Sequence, residues 1–393
     1  MPPSAASGRR GAPPGHSVTS GKRRRVLHLI DTKGPGGAET VFLTLITSLG
    51  GEWENIPVVA GPGWVEDSVR EAGFSPLMIP FSQGPFDLPY LRQLSRAIRE
   101  HSIDLVQTHL LSTALYGGIA GRLRRVPVVA TFHGDPDLRV TGWQGRVRYG
   151  LIRTCTEKVV CVSSSLKART MAHTGFADED LAVIPNGIDT QTFRPGKGRR
   201  VRQELGVPPH VFLVGSVGNV RPAKDYRTLL QTAHQVREAA GMKVRFVVAG
   251  QRTRPLYDEL ERLQKELGLE DTVEFLGFRG DISELLRALD LVLLSSAHEG
   301  FSLVAVQAMA TALPVVSTRC GGPEEIFSHE EEGLFCPPGD PEALARAILR
   351  LQRDPGLRRE MGRRGRETAE NRFSQDAMVR GYENLYRTIL GRR

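Results

Sequence analysis

Three segments of this 393-residue sequence combine glycines with charged side chains, which are the residue types that bind phosphates and polyhydroxylated ligands. Residues 34–39 (Gly-Pro-Gly-Gly-Ala-Glu) lie between a predicted strand and a predicted helix, where free N–H groups attract an anion. Residues 218–225 also precede a helix and include two cations, Arg221 and Lys224. Since the helix dipole disfavours cations at this end, they indicate an anionic partner such as a diphosphate. A ligand-free turn and a surface ion pair are the respective alternatives.

The third segment, residues 295–309, places a carboxylate at a turn between a strand and a helix. Glu299 precedes Gly300 there, and a carboxylate in this position can accept hydrogen bonds from two hydroxyl groups. Bonds to an ionised acceptor are about twice as strong as neutral ones. This segment therefore predicts a binding site for a polyhydroxylated ligand.

Other phosphate-binding and metal-binding motifs are disfavoured by particular residues. A dinucleotide-binding motif requires glycine at position 39, where the chain has Glu39, and no Gly-Lys-Ser/Thr follows a glycine turn. Asp135 and Asp137 have the spacing of a carboxylate pair that holds a metal ion between phosphates, but we expect an exposed turn there. The four cysteines form no C-x-x-C pair, which predicts buried thiols rather than a zinc site.

The elements that must position these segments alternate between short apolar runs and amphipathic stretches, a pattern typical of parallel sheets covered by helices. Seven strands are predicted between residues 26 and 184, and a polar linker follows at 194–200. Further strands are then predicted at 211–217, 244–250, 272–277 and 289–296. The chain length fits two domains of ordinary size. Two doubly wound α/β domains bind ligands at the carboxyl ends of their strands, so we expect function in the loops that follow strands.

The net charge of +8 comes mostly from one end of the chain. Residues 1–25 hold six basic side chains and no acidic one, which leaves 46 basic against 44 acidic side chains in the remainder. A near-neutral body argues against nucleic-acid binding. Residues 1–24 are rich in Pro, Gly, Ser and Arg, so we expect a disordered tail.

The sequence also bears on membranes. No run reaches the roughly 18 apolar residues of a spanning helix, and the first 25 residues lack the apolar core of a signal peptide, so we expect a cytoplasmic protein. Residues 143–153 mix aromatic, apolar and Arg side chains. This composition fits either packing against the sheet or peripheral docking on an anionic membrane surface.

The order and spacing of seven motifs resembles the retaining glycosyltransferases of family 4, which have the GT-B fold: two Rossmann-like domains facing each other across a cleft. The resemblance extends over residues 26–390. The motifs that carry it are residues 36–39 (GGAE), 131–134 (TFHG), 184–189 (IPNGID), 221–225 (RPAKD), 299–302 (EGFS), 321–326 (GGPEEI) and 332–335 (EGLF). The resemblance implies an acceptor domain at 25–195, completed by a C-terminal helix at 374–390, and a nucleotide-sugar donor domain at 205–373.

The resemblance also implies roles for individual residues, some of them outside these motifs. Lys224, helped by Arg221, would bind the nucleotide diphosphate, Glu299 would hold donor-sugar hydroxyls, and His133 would lie over the reaction centre. The residues expected to line the donor site are Gly36, Gly37, Asn186, Asn219, Gly277, Arg279, Gly300, Phe301, Ser302, Leu303 and Gln307. The co-substrate is a nucleotide-diphosphate sugar, and no metal or other cofactor is expected. His109 ends a predicted strand and is either an acceptor contact or a polar residue without ligand duty.

Two residues depart from the family pattern. Asn219 directly follows the glycine of the phosphate loop, where the family often has Arg. Gln307 lies eight positions after Glu299, where the family has a second Glu that bonds the nucleotide ribose. A glutamine carbonyl can still accept this bond, and replacing a charge-assisted bond by a neutral one costs about 1 kcal/mol of donor binding.

The implied activity is transfer of a sugar, with retention at the anomeric carbon, from a nucleotide-diphosphate sugar to a hydroxyl group. The family suggests a glycan or lipid-linked acceptor in cell-envelope synthesis. Two alternatives remain: a sugar-nucleotide epimerase or hydrolase of the same architecture, and a noncatalytic donor-binding partner subunit. The first would consume donor without acceptor, and the second would bind donor without transfer. An NAD-dependent oxidoreductase is disfavoured by Glu39.

Overall fold

The computed structural model describes residues 23–81 and 87–392, which form two parallel β-sheets. The strands of the first sheet are β1 (Arg24–Leu29), β2 (Trp53–Val59), β3 (Leu77–Met78), β4 (Leu105–His109), β5 (Val128–Phe132), β6 (Lys158–Cys161) and β7 (Leu181–Val183). Their order across the sheet is β3-β2-β1-β4-β5-β6-β7, and every neighbouring pair is parallel. β4 and β5 are buried throughout, as expected for central strands of a parallel sheet.

Helices connect these strands. They are α1 (Gly37–Ser48), α2 (Trp64–Glu71), α3 (Leu88–Glu100), α4 (Leu111–Arg124), α5 (Gly142–Cys155) and α6 (Ser164–Thr174). Side-chain caps define the beginning of two of them: Asp87 accepts a hydrogen bond from the Tyr90 N–H before α3, and Ser163 accepts one from the Leu166 N–H before α6. Because each crossover returns the chain to the same end of the sheet, the loops after the strands share one edge.

The second sheet has six strands in the described chain. They are β8 (Phe212–Val217), β9 (Val244–Ala249), β10 (Val273–Gly277), β11 (Leu291–Leu294), β12 (Val315–Thr318) and β13 (Gly333–Cys336). Their order is β10-β9-β8-β11-β12-β13, again with parallel pairs. β12 and β13 were not among the predicted strands. Two doubly wound α/β halves confirm the predicted fold class.

The helices of the second half are α7 (Arg199–Glu204), α8 (Tyr226–Ala240), α9 (Leu256–Glu266), α10 (Ile282–Ala288), α11 (Leu303–Ala310), α12 (Pro341–Arg353), α13 (Pro355–Arg372) and α14 (Gln375–Gly391). α7 begins inside the segment 194–200 that was interpreted as a linker. Its Val201 is buried in the core, and Arg202 forms an ion pair with Asp290. The end of the predicted linker is therefore a helix packed on the second half.

The last helix, α14, packs against the first sheet. The Tyr382 hydroxyl lies 3.0 Å from Thr131 Oγ1, and the Tyr386 hydroxyl donates to Gln107 Oε1 at 2.8 Å. All four side chains are fully buried. The segment before α14 runs beside the one after β7, where the Ile188 N–H donates to the carbonyl of Phe373. The C-terminus of the described chain thus returns to the first half.

Two predictions concern regions at the margin of the structure. Of the predicted tail at 1–24, residues 1–22 lie outside the described residues, whereas Arg24 already begins β1. Among residues 23–81 and 87–392, none of the helices is both long enough and apolar enough to cross a bilayer.

Candidate active site

The loops after β5 and β11 meet between the two halves. The Ser163 hydroxyl of the first half donates a hydrogen bond of 2.6 Å to the carbonyl of Gly300 in the second. A Cβ on Gly300 would lie only 2.6 Å from the carbonyl oxygen of His133 and 2.8 Å from the Cα of Gly134. Only glycine allows this approach, so the EGFS and TFHG motifs lie in backbone contact.

An ion pair lies next to this contact. Lys224 Nζ is 2.6 Å from Glu299 Oε1, and the Ser296 hydroxyl donates to the same oxygen at 2.9 Å. The two side chains are 21% and 12% exposed, which distinguishes this pair from an ordinary surface salt bridge. Burial is the largest single effect and lowers the pKa of Lys224, but the charge and hydrogen bond of Glu299, together with Tyr226 and Cys320, outweigh it and raise the pKa. A cation is therefore held beside a carboxylate at the cleft.

The loop before α8 presents this lysine. Gly218 lies so close to Lys224 that a Cβ would be 2.7 Å from the lysine Cε, and the Tyr226 hydroxyl donates to the Gly218 carbonyl at 2.7 Å. Arg221 is exposed on the same loop. Asn219 connects the loop to the first half, since its Nδ2 donates to the carbonyl of Pro35 at 3.3 Å. Both predicted cations thus border the cleft, Lys224 partly buried and Arg221 at the surface.

The first glycine segment lies opposite this loop. Gly36 is the N-cap of α1, which begins at Gly37, and Glu39 is buried in its first turn. A Cβ on Gly37 would be 3.6 Å from the side chain of Leu303, the first residue of α11. The beginnings of α1 and α11 therefore approach each other across the cleft, and both point N–H groups of a helix terminus into this region.

The beginning of α11 is firmly anchored. The Ser302 hydroxyl accepts the Ala305 N–H as the N-cap, and the buried ring of Phe301 packs edge-on against Phe373. Gln307 lies further along α11 and is partly exposed. Ser302 and Phe301 fix the loop that carries Glu299. The predicted donor-site residues of this segment therefore lie next to one another in the structure.

His133 and His109 form a pair in the first half. Nδ1 of His109 lies 3.1 Å from Nε2 of His133, and the rings are stacked. Burial lowers the pKa of His133 to about 3; burial and the neighbouring His133 lower that of His109 well below its usual range. His109 is fully buried, which favours the second of the two alternatives, a polar residue that does not contact the acceptor. It contacts His133 instead.

The predicted exposed turn at 135–137 is also corrected for Asp137. Its carboxyl group is buried and accepts hydrogen bonds from the N–H groups of His133, Gly134 and Leu111, at 2.6, 3.3 and 2.9 Å. Burial raises the pKa of Asp137 to about 7, against the opposing effect of these bonds. Asp137 therefore holds the backbone of the His133 loop in place. No group of three or more His, Cys, Asp or Glu side chains in the described ranges is arranged to hold a metal ion.

Three predicted donor-site residues lie apart from the cluster. The Arg279 guanidinium forms ion pairs with two carboxylates, Glu204 and Asp281. Gly277, which ends β10, lies near Arg252. Asn186 is buried beside the junction with α14, and its Oδ1 has no hydrogen-bond partner among the described residues. The structure does not bring these residues into contact with Lys224 or Glu299.

One residue of the cleft was missed. The Glu325 carboxylate accepts the N–H groups of Ser164 and Ser165 at the beginning of α6, which is a further link between the two halves. Glu325 belongs to the GGPEEI motif, so its segment was noticed. Its partner could not be deduced, because they are 160 and 161 residues apart in sequence.

Two Rossmann-like halves, whose strand-end loops join a cation, a carboxylate and a histidine at one cleft, have the GT-B fold. Comparison with family models agrees: residues 35–192 match the model described as Glycosyltransferase Family 4, and residues 199–368 match Glycosyl transferases group 1. The chain belongs to glycosyltransferase family 4, as the motifs predicted.

Individual relatives are similar along most of the chain. N-acetyl-alpha-D-glucosaminyl L-malate synthase of Bacillus anthracis is 28% identical over 79% of this chain and 81% of its own. D-inositol 3-phosphate glycosyltransferase of Saccharomonospora viridis is 31% identical over 73% and 70%. The crystal structure of Anabaena HepE in complex with UDP-glucose is 25% identical, covers 92% of this chain and 99% of its own, and has a TM-score of 0.83. The protein is therefore an enzyme that transfers a hexose-type sugar from a nucleotide sugar.

Proposed function

We propose that the enzyme transfers the sugar with retention of anomeric configuration to a hydroxyl group of a glycan or lipid-linked intermediate in cell-envelope synthesis. In the transfer step the bond between the anomeric carbon and the leaving phosphate oxygen breaks. The acceptor oxygen bonds to the same face of that carbon, and its proton goes to the leaving phosphate oxygen. No carboxylate is assigned as a covalent nucleophile, so the assisted departure of the diphosphate is the step that the protein must promote.

The observation that carries this proposal is the Lys224–Glu299 pair beside the His133–Gly300 contact. An ammonium group has three N–H donors, so Lys224 can keep Glu299 and still donate to a phosphate oxygen. Arg221 would add a second cation from the rim of the cleft. Donors aimed at a developing negative charge stabilise the transition state without reorganisation. These two cations take the role that a metal ion has in other transferases, so no metal is required.

The remaining predicted residues support the sugar and the base. Glu299 would accept bonds from donor-sugar hydroxyls with its second oxygen, while Oε1 stays with Lys224 and Ser296. His133 would face the sugar or its leaving oxygen from the first half. Gln307 would accept a ribose hydroxyl more weakly than a glutamate, which lowers donor affinity without removing activity.

The test begins with the donor, which is unidentified. Purified protein is screened with a panel of nucleotide sugars by thermal shift, where a ligand at 100 times its Kd adds about 2.7 kcal/mol of stability. The stabilising donor is then assayed with lipid-linked and free glycan acceptors, and the product anomer is determined by NMR. Product of the same anomeric configuration as the donor is expected. An inverted product contradicts retention, and donor hydrolysis or epimerisation without transfer contradicts the proposal as a whole.

A membrane-docking face on α5 fits a lipid-linked acceptor, and we include it in the proposal. Trp143, Val147 and Leu151 follow each other at four-residue spacing and are 68%, 52% and 40% exposed, although α5 buries Tyr149 and Ile152 on its opposite side. This apolar stripe is flanked by arginines, and α5 contains no Asp or Glu. Apolar side chains between cations complement an anionic bilayer surface. This would place the enzyme at the inner face of the membrane.

Liposome sedimentation tests the α5 face. Each arginine near an anionic surface contributes about 1 kcal/mol, so Arg146→Glu with Arg148→Glu should shift most protein from the pellet to the supernatant. Arg353→Glu with Arg359→Glu is the matched control, because it makes the same charge change on α12 and α13. Equal sedimentation of the α5 variant and the wild type contradicts docking by this face. Binding that persists on neutral vesicles contradicts the charge argument.

A further inference from the structure

The hydrogen bond between His109 and His133 leaves one nitrogen of each ring without a protein partner. Nδ1 of His133 and Nε2 of His109 are both buried, and neither has a hydrogen-bond partner within the described part of the chain. Because burial keeps the pKa of both imidazoles far below 6.5, both rings are neutral near pH 7, and each carries a single proton. The pair therefore has two possible arrangements of its two protons.

These arrangements differ in which ring donates. If His109 donates from Nδ1, Nε2 of His133 is the acceptor, and His133 carries its own proton on Nδ1. If His133 donates from Nε2, its Nδ1 becomes a bare acceptor, and the proton of His109 lies on Nε2. In each case one ring has an unpaired N–H, and the question is which location can tolerate it.

The surroundings of His109 argue against an unpaired N–H there. His109 is fully buried at the end of β4, and its ring packs edge-to-face with Phe42 at 5.7 Å between centroids. An aromatic face is at best a weak partner for an N–H. Buried N–H groups without a partner are rarer in proteins than buried acceptors without one. An unpaired acceptor nitrogen at this position is the less costly state.

The surroundings of His133 differ, because it lies at the cleft. Its backbone contacts Gly300, next to Glu299 of the ion pair, and the residue as a whole is partly exposed, although its Nδ1 is buried in the ligand-free structure. An oxygen of a ligand entering here can accept an N–H that the protein leaves unpaired. The backbone of His133 is fixed by Asp137, so the ring is the part of the residue that remains to be oriented.

We propose that His109 is a positioning residue: it donates its Nδ1 proton to Nε2 of His133 and so fixes the tautomer of His133 that presents an N–H on Nδ1 to the bound donor. This inference rests on the proposed function for the identity of the ligand. The partner of the Nδ1 N–H is an oxygen, either a sugar hydroxyl or the leaving phosphate oxygen. A neutral histidine that donates in this way helps departure without itself gaining or losing a proton.

The experiment reads the tautomer directly. Long-range ¹H–¹⁵N spectra of ¹⁵N-histidine-labelled protein distinguish protonated from unprotonated ring nitrogens, and a His133→Gln spectrum assigns the His133 signals. The ligand-free wild type should show His133 protonated on Nδ1 and unprotonated on Nε2. In His109→Leu, which removes the donor, a population protonated on Nε2 should appear and kcat should fall about 10- to 100-fold, as for other lost orienting bonds. In His109→Asn, whose amide can donate from near the Nδ1 position, both tautomer and most of the rate should be recovered.

His234→Leu is the matched control. His234 also has a buried Nδ1 without a hydrogen-bond partner among the described residues, but it lies on α8 in the second half and should leave the His133 spectrum unchanged. A wild-type His133 protonated on Nε2 overturns the proposal, and so does a His109→Leu variant with unchanged tautomer and rate. The predicted tautomer in a wild type that transfers no sugar would support the positioning role and contradict the proposed function, so the two failures are separable.

Discussion

Removing the ammonium group of Lys224 is the sharpest perturbation of the proposed mechanism. Lys224→Met keeps the length of the side chain and deletes its charge. One donor to a developing anion is typically worth about 2.7–4 kcal/mol, so kcat should fall about 10²–10³-fold. The assay is initial-rate transfer with the donor identified by screening, measured at saturating donor so that kcat and KM separate. A folded Lys224→Met enzyme with near-wild-type kcat would refute the phosphate assignment.

The stability of the same variant must be separated from its rate. Without the ammonium, the Ser296 hydroxyl at 2.9 Å is the hydrogen-bond partner that Glu299 keeps among the described residues, and the Glu299 side chain is 12% exposed. An uncompensated carboxylate that retains some solvent contact should cost about 1–3 kcal/mol, less than the full penalty for a deeply buried charge. Lys224→Met with Glu299→Gln removes both charges. Urea unfolding should then show recovered stability, while transfer stays slow.

Three further predictions follow from contacts away from the ion pair. Gly300→Ala should reduce kcat/KM about 100-fold with little loss of thermal stability, because its Cβ would push the loop off the His133 carbonyl; a near-wild-type kcat/KM would contradict the close contact. Tyr386→Phe leaves the buried Gln107 Oε1 unpaired and should lower the free energy of unfolding in urea by about 1–3 kcal/mol, and an unchanged midpoint would contradict this bond. Because the pKa of His28 is lowered to about 4 and that of His133 to about 3, the unfolded chain binds more protons below pH 6.5. Stability should therefore fall as the pH decreases from 6.5 towards 4, and a His133→Gln variant in which this fall is equally steep would contradict the lowered pKa.

Local sequence patterns predicted the parts of the site that depend on where strands end. Lys224 and Glu299 are separated by 75 residues, yet both follow apolar runs that could be recognised as strands. In a parallel sheet the loops after neighbouring strands share an edge, and β8 and β11 are neighbours. The proximity of Lys224 and Glu299 could therefore be predicted from the strand pattern. Gly300 could also be recognised from the sequence. The reason that glycine is required there could not, because it is the close approach of the His133 carbonyl in the other half of the chain.

Burial and long-range partners were beyond such patterns. Whether His109 contacts an acceptor or lies behind His133 depends on how α1 and its Phe42 cover the end of β4. The ion pair of Arg279 with Glu204, 75 residues away, could likewise not be deduced from the sequence. The Asp137 carboxyl group is buried because three backbone N–H groups bond to it, and these groups come together only in the folded loop. In each case the partner of a polar side chain is set by tertiary contacts.

The most direct measurement of the central claim is a crystal structure with the nucleotide of the identified donor bound. We expect a β-phosphate oxygen within hydrogen-bond distance of Lys224 Nζ, with Glu299 still beside the lysine and Arg221 turned towards the phosphates. A diphosphate bound elsewhere, with the Lys224–Glu299 pair untouched by ligand, would contradict it.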